Sequence, residues 1–246
     1  MIHRELRHSA SGAPYCLITI DRPERRNALD KETCQQLQGA LEAAEADQAR
    51  AVVLTGAGGS FCAGADLGTV RDEEFHPSLR RVLHALVDIP VVCLAAVDGP
   101  ALGAGVQLAV ACDLRVVGPG ARFGVPAGKL GLAVDHWTVQ RCAVVAGEGP
   151  ARAMLLGGQE YDGAAALAAG LAQRDGGLAG ALAWAEELCE LAPLTLAAHK
   201  LALNRLHAPP EDPEVIAARS RAWASADLEE GIAAFRERRS PRFQGR

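Results

Sequence analysis

Two short turns rich in glycine and alanine constrain this chain more than any other feature. The first, SFCAGAD, covers residues 60–66, and the second, DGPALGAGVQ, covers residues 98–107. Each follows an apolar, β-branched run typical of a buried strand, at 51–54 and 91–97, and each lies where a helix should begin. Such turns leave backbone N–H groups without partners and let a ligand approach the main chain closely. Two of these N–H groups can converge on one oxygen atom, which is the arrangement of an oxyanion hole.

The rest of the chain alternates between strand-like and helix-like patterns. Further strand-like runs occur at 15–20, at 113–117 and, briefly, near 122–125. Asp30 is a predicted N-cap, and helical periodicity follows it. Alternation of strands with helices predicts parallel strands in an α/β fold. The other predicted helices are at 74–88, 103–111, 136–146, 148–156, 161–168, 177–191, 193–206 and 213–237.

Composition excludes several classes of function. The chain has 246 residues, 49% of them hydrophobic, and its formal charge of −5 gives no general attraction to nucleic acid. The seven cysteines form no CxxC pair and no zinc spacing, so we expect reduced core thiols in a cytoplasmic protein. Residues 1–13 show no signal-peptide pattern. The longest apolar stretch, 89–111, is interrupted by Asp98, glycines and Pro100, which makes it a poor membrane span.

Five ordered motifs resemble those of the enoyl-CoA hydratase/isomerase (crotonase) superfamily. The family's first oxyanion segment ends in A-G-x-D, as residues 63–66 do. Its second reads G-x-A-x-G-G-G or a close variant, which residues 99–105 match. The segments 18–29, 112–117 and 241–246 resemble its other signatures.

The resemblance implies a fold, an assembly and a ligand. The fold is an α/β spiral of ββα units over residues 1–192, followed by a C-terminal helical region over 193–246 that packs on the core or on a neighbouring subunit. Members usually assemble as trimers or as dimers of trimers. Their ligand is a coenzyme A thioester, and the resemblance implies no further cofactor and no metal.

The resemblance assigns the two oxyanion donors to Ala65 and Ala104. Their backbone N–H groups occupy the positions that bind the thioester oxygen in the family, and their side chains need only be small. A helix that begins at Ala104 would add a dipole favourable to an enolate oxygen. The alternative is that the glycines around Ala104 serve only tight packing between a helix and the sheet.

Coenzyme A is bound in the family by backbone groups near Ala63, Asp66 and Leu67 and by the turn after the first Arg-Pro. Arg25 and Arg26 lie in that turn here, and either could neutralise a phosphate through charge-assisted hydrogen bonds. The alternative is that both arginines are simply solvated in a surface loop.

Both catalytic carboxylates of the family's hydratases are missing. Those enzymes use two glutamates to add water across an enoyl double bond, and this chain has Gln107 and Ala127 at the matching positions. Glutamine can orient a water molecule but cannot take its proton, and alanine can do neither. General acid–base catalysis contributes roughly 10²–10⁴-fold for each positioned group, so ordinary hydratase turnover is not expected.

One carboxylate remains near the site. Asp135 aligns with a position at which dienoyl-CoA isomerases and aryl-CoA dehalogenases carry a working aspartate. An aspartate directly before a helix is also an ordinary N-cap, and both interpretations stay open. Of its neighbours, His136 is interpreted as a surface group and Trp137 as part of an apolar acyl pocket.

Three hypotheses follow. The segments 129–137 and 151–156 and the Arg-Phe-Gln-Gly ending resemble a hydratase-like branch linked to mycolic-acid synthesis, whose members lack both glutamates. That resemblance favours a protein that binds acyl-CoA or fatty acid and is non-catalytic or weakly active. The second hypothesis is an enoyl-CoA hydratase or isomerase that works with Asp135. A purely structural oligomerisation module is disfavoured because it gives no reason for two open turns.

Overall fold

The computed structural model describes residues 1–66, 68, 72–130, 133–206 and 213–246. Nine strands and ten α-helices lie within these residues. The strands are β1 (Ile2–His8), β2 (Pro14–Ile20), β3 (Ala51–Gly56), β4 (Val92–Val97), β5 (Pro100–Leu102), β6 (Leu114–Val117), β7 (Arg122–Gly124), β8 (Tyr161–Asp162) and β9 (Arg174–Asp175). The helices are α1 (Lys31–Ala46), α2 (Phe75–Asp88), α3 (Ala104–Ala111), α4 (His136–Ala146), α5 (Glu148–Leu155), α6 (Gly163–Ala168), α7 (Gly177–Cys189), α8 (Pro193–Asn204), α9 (Pro213–Trp223) and α10 (Ala226–Glu237).

The described strands form two sheets. The larger has six strands in the order β1-β2-β3-β4-β6-β9, with β1 antiparallel to β2 and every other neighbouring pair parallel. The smaller has three strands in the order β5-β7-β8. The expected α/β fold with parallel strands is therefore confirmed.

Helices cover both faces of the large sheet. Successive side chains of a strand point to opposite faces, and apolar residues on both faces must be buried. On one face, Ile18, Leu54 and Cys93 belong to a core shared with α1, α2 and α3. On the other face, Leu17, Val53 and their neighbours pack under α7. The Asp30 side chain accepts a hydrogen bond from Thr33 N, so the predicted N-cap of α1 is confirmed.

The structure differs from the sequence-based predictions in the short strands β5, β8 and β9, which were not predicted, and most clearly near the two ends of the chain. No strand was predicted before residue 15, yet β1 pairs with β2 along its whole length. The prediction of one helix over 213–237 is wrong, because α9 ends at Trp223 and α10 begins at Ala226. The Ala226 N–H donates to the carbonyl of Arg246. In one continuous helix, this N–H would instead donate to a carbonyl within the helix.

All seven cysteines are buried free thiols, in agreement with the expectation of reduced core residues. In the described part of the chain, no helix is long and apolar enough to cross a membrane.

Candidate functional site

The two glycine-rich turns are bonded to each other. Cys62 N donates to the carbonyl of Pro100 at 2.9 Å, and Leu102 N donates to the carbonyl of Cys62 at the same distance. Cys62 and Ala101 thus form a short parallel bridge. The bridge fixes the first turn against β5, directly before the start of α3.

Glycine is required at the points where these turns meet. A Cβ added to Gly105 would lie 2.1 Å from the backbone oxygen of Cys62, and one added to Gly99 would lie 2.0 Å from that of Gly59. The Cys62 oxygen cannot move without breaking the hydrogen bond that it accepts from Leu102 N. Gly64, with φ +114, comes so close to α3 that its added Cβ would lie 3.9 Å from Ala104 N. The first turn therefore lies beside the first residue of α3.

Two backbone N–H groups at this junction donate no hydrogen bond to another described residue. Leu29 bonds to the groups on either side of Ala65, since Leu29 N donates to Gly64 O and Asp66 N donates to Leu29 O, both at 2.8 Å. These two hydrogen bonds form a parallel bridge between Leu29 and Ala65, and the Ala65 N–H is not one of its donors. Ala104 is the first residue of α3, so its N–H precedes the first bond within the helix.

Ala65 and Ala104 line the same cavity, whose volume is about 410 Å³. Its walls come from the two turns, from one face of α2, and from the segment between β7 and α4. The lining is mostly apolar, and among the described residues Asp135 is its one carboxylate. The residues that line it are Ala63, Gly64, Ala65, Phe75, His76, Leu79, Arg80, Leu83, Gly103, Ala104, Gln107, Val125, Pro126, Ala127, Leu130, Ala133, Val134 and Asp135.

Three polar side chains form a short hydrogen-bonded chain at this cavity. The Gln107 side-chain amide donates from Nε2 to Thr138 Oγ1 at 2.6 Å. Thr138 in turn donates to Asp135 Oδ1 from its backbone N–H, at 3.0 Å, and from its hydroxyl. Gln107 and Thr138 are buried, whereas the Asp135 side chain is exposed. Asp135 is therefore the N-cap of α4 and also a cavity-lining carboxylate.

The structure brings together most of the residues that the sequence proposed for the thioester. Ala65, Ala104, Gln107, Ala127 and Asp135 all line the cavity. Ala127 follows Pro126 in a short 3-10 helix and is half-buried, with a methyl group where the family's hydratases carry a glutamate. No residue in the described lining other than Asp135 can accept a proton as a carboxylate.

The residues expected to bind coenzyme A are more dispersed. Ala63 lines the cavity, and its N–H donates to the carbonyl of Arg26 at 3.0 Å. Arg25 and Arg26 have exposed side chains in the turn before Asn27. Asp66 lies 3.7 Å from Arg22 and accepts a hydrogen bond from Gly68 N at 3.0 Å. The Arg22–Asp66 ion pair links this turn to the first glycine-rich turn.

Four of the predicted site residues, Arg25, Arg26, Asp66 and Trp137, are not among the described residues that line the cavity. Leu67 lies outside the described residues. Trp137 is half-buried and does not occur in the described cavity lining; its ring instead lies 5.9 Å from the ring of His84 on α2. The role predicted for Trp137 in an acyl pocket stays a prediction.

Sequence reasoning did not identify three polar residues of the site. His76 and Arg80 line the cavity from α2, next to Leu79 and Leu83 of its apolar face. Their spacing of four residues puts them on one helix edge, so the helical pattern contained the signal. Thr138 could have been found as the third residue after the predicted N-cap, but its contact with Gln107 spans 31 positions and has no local signature.

Burial makes the one thiol of the first turn chemically inert. The Cys62 side chain is fully buried, and this burial raises the pKa of its thiol to about 12. The thiol stays protonated at neutral pH and is not available as a nucleophile. The chemistry of this part of the site therefore depends on backbone groups.

Comparison with known proteins gives one consistent result. The chain matches the family described as enoyl-CoA hydratase/isomerase over residues 11–246. A Mycobacterium tuberculosis relative named probable enoyl-CoA hydratase echA6 is 44% identical over 233 residues, covering 93% of this chain and 95% of that protein. The 2,3-dehydroadipyl-CoA hydratase of Escherichia coli is 35% identical over 242 residues, covering 94% and 95% respectively.

A solved structure extends the result to three dimensions. The crystal structure of an enoyl-CoA hydratase/carnithine racemase from Magnetospirillum magneticum matches with a TM-score of 0.89 at 31% identity, covering 99% of this chain and 96% of that one. The fold and the two bonded turns thus define a protein of the crotonase superfamily. This chain belongs to the enoyl-CoA hydratase/isomerase family.

Proposed function

We propose that this protein binds fatty acyl-CoA thioesters in the cavity and is non-catalytic or only weakly active. The thioester oxygen would accept hydrogen bonds from the N–H groups of Ala65 and Ala104. The observation that carries the proposal is that both N–H groups lack a partner among the described residues and line one largely apolar cavity. Relatives named as hydratases of CoA thioesters support the class of ligand.

The side chains opposite the two donors support binding without turnover. Position 107 holds an amide and position 127 a methyl group, so neither can move a proton to or from an acyl carbon. An oxyanion donor alone contributes about 3–4 kcal/mol in well-studied enzymes. That contribution favours binding of an enolate-like oxygen, but it supplies no base.

A second candidate function rests on Asp135. Its carboxylate lines the same cavity as Ala65 and Ala104, and only one of its oxygens is used by Thr138. The other oxygen would be available to shuttle a proton in an enoyl-CoA hydratase or isomerase reaction. This candidate differs from the first in predicting turnover that depends on one side chain.

The proposal also includes a self-assembly. Leu203, Leu206, Ile216 and Trp223 in and after the C-terminal helices α8 and α9 are between 49% and 65% exposed. Large apolar side chains exposed on these helices favour burial against another copy of the chain, and the family resemblance gives a homotrimer or a hexamer as the expected assembly. Light scattering coupled to gel filtration would measure the mass, and a monomer would contradict this part of the proposal.

Titration calorimetry with palmitoyl-CoA and with free CoA tests the proposed function. Wild-type protein should bind palmitoyl-CoA more tightly, because only the thioester offers a carbonyl oxygen and an acyl chain. Absence of binding to both compounds would exclude the site.

The variant Ala104→Pro sharpens this test. Proline is tolerated at the first position of a helix, and it removes one of the two proposed donors. Loss of one neutral hydrogen bond, together with the proline Cδ that takes the place of the N–H hydrogen, should weaken palmitoyl-CoA binding at least about tenfold. Free CoA serves as the internal control, since its affinity should not change. Equal weakening of both ligands would show that the Ala104 N–H does not contact the thioester.

A further inference from the structure

The direction of the hydrogen bonds at Thr138 is fixed by chemistry. An ionised carboxylate can only accept, so the hydroxyl proton of Thr138 must be the one donated to Asp135. The hydroxyl oxygen is then left to accept, and the group it accepts from must be a donor. Gln107 meets that requirement through its Nε2 atom at 2.6 Å. The chain of bonds therefore runs in one direction, from Gln107 through Thr138 to Asp135.

We propose that Thr138 is a positioning residue that couples Gln107 to Asp135, and that this coupling allows only one ionised carboxylate at positions 107 and 135. The inference deepens the proposed function, because it identifies Asp135 as the one carboxylate that the site presents to the acyl group. It rests on the proposed function for the identity of the ligand. The hydrogen bonds that couple Gln107 to Asp135 are present in the protein without ligand.

A carboxylate introduced by Gln107→Glu would face a hydroxyl without a proton to give it. Thr138 has a single hydroxyl hydrogen, and Asp135 already receives it. Position 107 is buried, with a relative exposure of 9%, so the introduced charge would also lose most of its hydration. Either the bond to Asp135 breaks or one of the two carboxyl groups keeps a proton. A neutral hydrogen-bond donor at 107, such as the glutamine amide, is therefore compatible with an ionised aspartate at 135.

The charged groups around Gln107 and Asp135 are the same in wild type and in the variants that test the proposal. His76 and Arg80 line the cavity from α2. On α4, His136 follows Asp135, and Arg141 Nε donates to the carbonyl of Val110 on α3. The helix α3, which carries Gln107, contains no titratable side chain. On α5, which packs against α4, Glu148 and Arg152 lie 3.9 Å apart and pair with each other. A comparison of variants therefore cancels their contributions.

Stability measured against pH tests the exclusion of a second carboxylate. Burial and the nearby Asp135 should raise the pKa of the carboxyl group introduced by Gln107→Glu above its unfolded value. Stability from that group is then present below about pH 4 and lost as pH rises. Between pH 5 and pH 7 the folding equilibrium constant of this variant should fall about tenfold relative to wild type.

Two further variants serve as controls. Adding Asp135→Asn to Gln107→Glu should remove most of that pH dependence, because Thr138 can then donate to position 107. The exposed Gln140 on α4 gives a matched charge change, and Gln140→Glu should follow wild type. Equal pH dependence of Gln107→Glu and Gln140→Glu would overturn the proposal.

Nuclear magnetic resonance tests the coupling through Thr138 directly. The side-chain NH₂ signal of Gln107 should shift as pH falls through the range in which carboxylates are protonated. The shift should be lost in Asp135→Asn and in Thr138→Val, and retained in Thr138→Ser, which keeps the hydroxyl. A shift that survives Thr138→Val would overturn the proposal. Both measurements use unliganded protein, so failure to bind palmitoyl-CoA would leave them valid, and their failure would leave the binding proposal intact.

Discussion

The two walls of the cavity are built in different ways. The backbone wall consists of residues 63–65, Gly103 and Ala104, and it presents main-chain N–H groups. The side-chain wall consists of Gln107, Ala127 and Asp135, and it presents an amide, a methyl group and a carboxylate. The two walls face the same space, but they tolerate change very differently.

The difference has a physical cause. Next to the backbone wall, main-chain atoms of the two turns approach so closely that a single added methyl group would overlap an oxygen at 2.1 Å. Substitution there disturbs the fold itself. The side chains at 107, 127 and 135 make none of the main-chain contacts that join the two turns, so an exchange at these positions leaves those contacts in place. Within such a site, oxygen binding is preserved by the fold, whereas proton transfer can be lost or moved to another residue.

The largest expected effect concerns catalysis by the side-chain wall. Wild-type protein should hydrate crotonyl-CoA at least about a thousandfold more slowly than the ~10 s⁻¹ typical of enzymes, because positions 107 and 127 have no base. A spectrophotometric assay of the enoyl double bond measures this rate. Turnover near ~10 s⁻¹ would show that another residue supplies the proton.

Restoration of the missing groups sharpens that result. Gln107→Glu together with Ala127→Glu should raise the hydration rate, and either change alone should do little, because the two groups act as a unit. Adding Asp135→Asn should raise it further, since the carboxylate at 107 no longer competes for Thr138. A triple variant slower than the double variant would contradict that competition.

The next effect concerns the backbone wall. Gly105→Ala should lower the free energy of unfolding by about 3 kcal/mol or more, because the added methyl group overlaps the carbonyl oxygen of Cys62. Chemical denaturation measures the change. The matched control is Gly39→Ala in α1, where an added Cβ meets nothing within 4 Å and should stabilise the helix by up to about 1 kcal/mol. Similar effects of the two substitutions would contradict the described contact.

Strong local patterns explain which parts of the fold could be predicted. The buried strands β3 and β4 are continuous apolar runs, and the cavity-lining turns follow them directly. The strand β1 was not predicted because its sequence, IHRELRH, is mostly polar and exposed at a sheet edge. Charged side chains like those in β1 are common on edge strands, where they prevent association. The two-residue strands β8 and β9 are too short to carry a pattern.

The site shows the same division between local and distant information. The glycine-rich turns predicted that backbone groups meet at one site, because glycine permits close approach of the main chain. The family resemblance then assigned those groups to Ala65 and Ala104, and both residues line one cavity. The coupling of Gln107 to Thr138 was not predicted, since it joins two helices that are distant in sequence. The position of Trp137 against His84 depends on how α2 packs near α4, which no local pattern encodes.

A smaller expected effect tests whether water reaches the Cys62 side chain in the first turn. Burial raises the pKa of Cys62 above its unfolded value, so its stabilising contribution is complete below about pH 9 and is lost as pH rises toward 12. From pH 8 to pH 10 the free energy of unfolding of wild type should therefore fall by about 1.4 kcal/mol more than that of Cys62→Ala. Urea denaturation at the two pH values measures this difference. Parallel pH dependence of the two proteins would mean that water reaches the thiol.

The smallest effect concerns Asp135, which is an N-cap and a cavity carboxylate at once. Asp135→Ala should lower the free energy of unfolding by about 1 kcal/mol, because the Thr138 N–H loses its acceptor. Asp135→Asn should change it by only a few tenths of a kcal/mol, since asparagine caps helices about as well as aspartate. The Asn variant thus removes the charge and keeps the fold, and assays with dienoyl-CoA and 3-enoyl-CoA then report on chemistry alone. If wild type converts either substrate and the Asn variant does not, the side-chain wall is catalytic through Asp135 and the protein is an isomerase rather than a binder. If neither protein converts them, Asp135 serves α4, and the backbone wall alone defines what the cavity does.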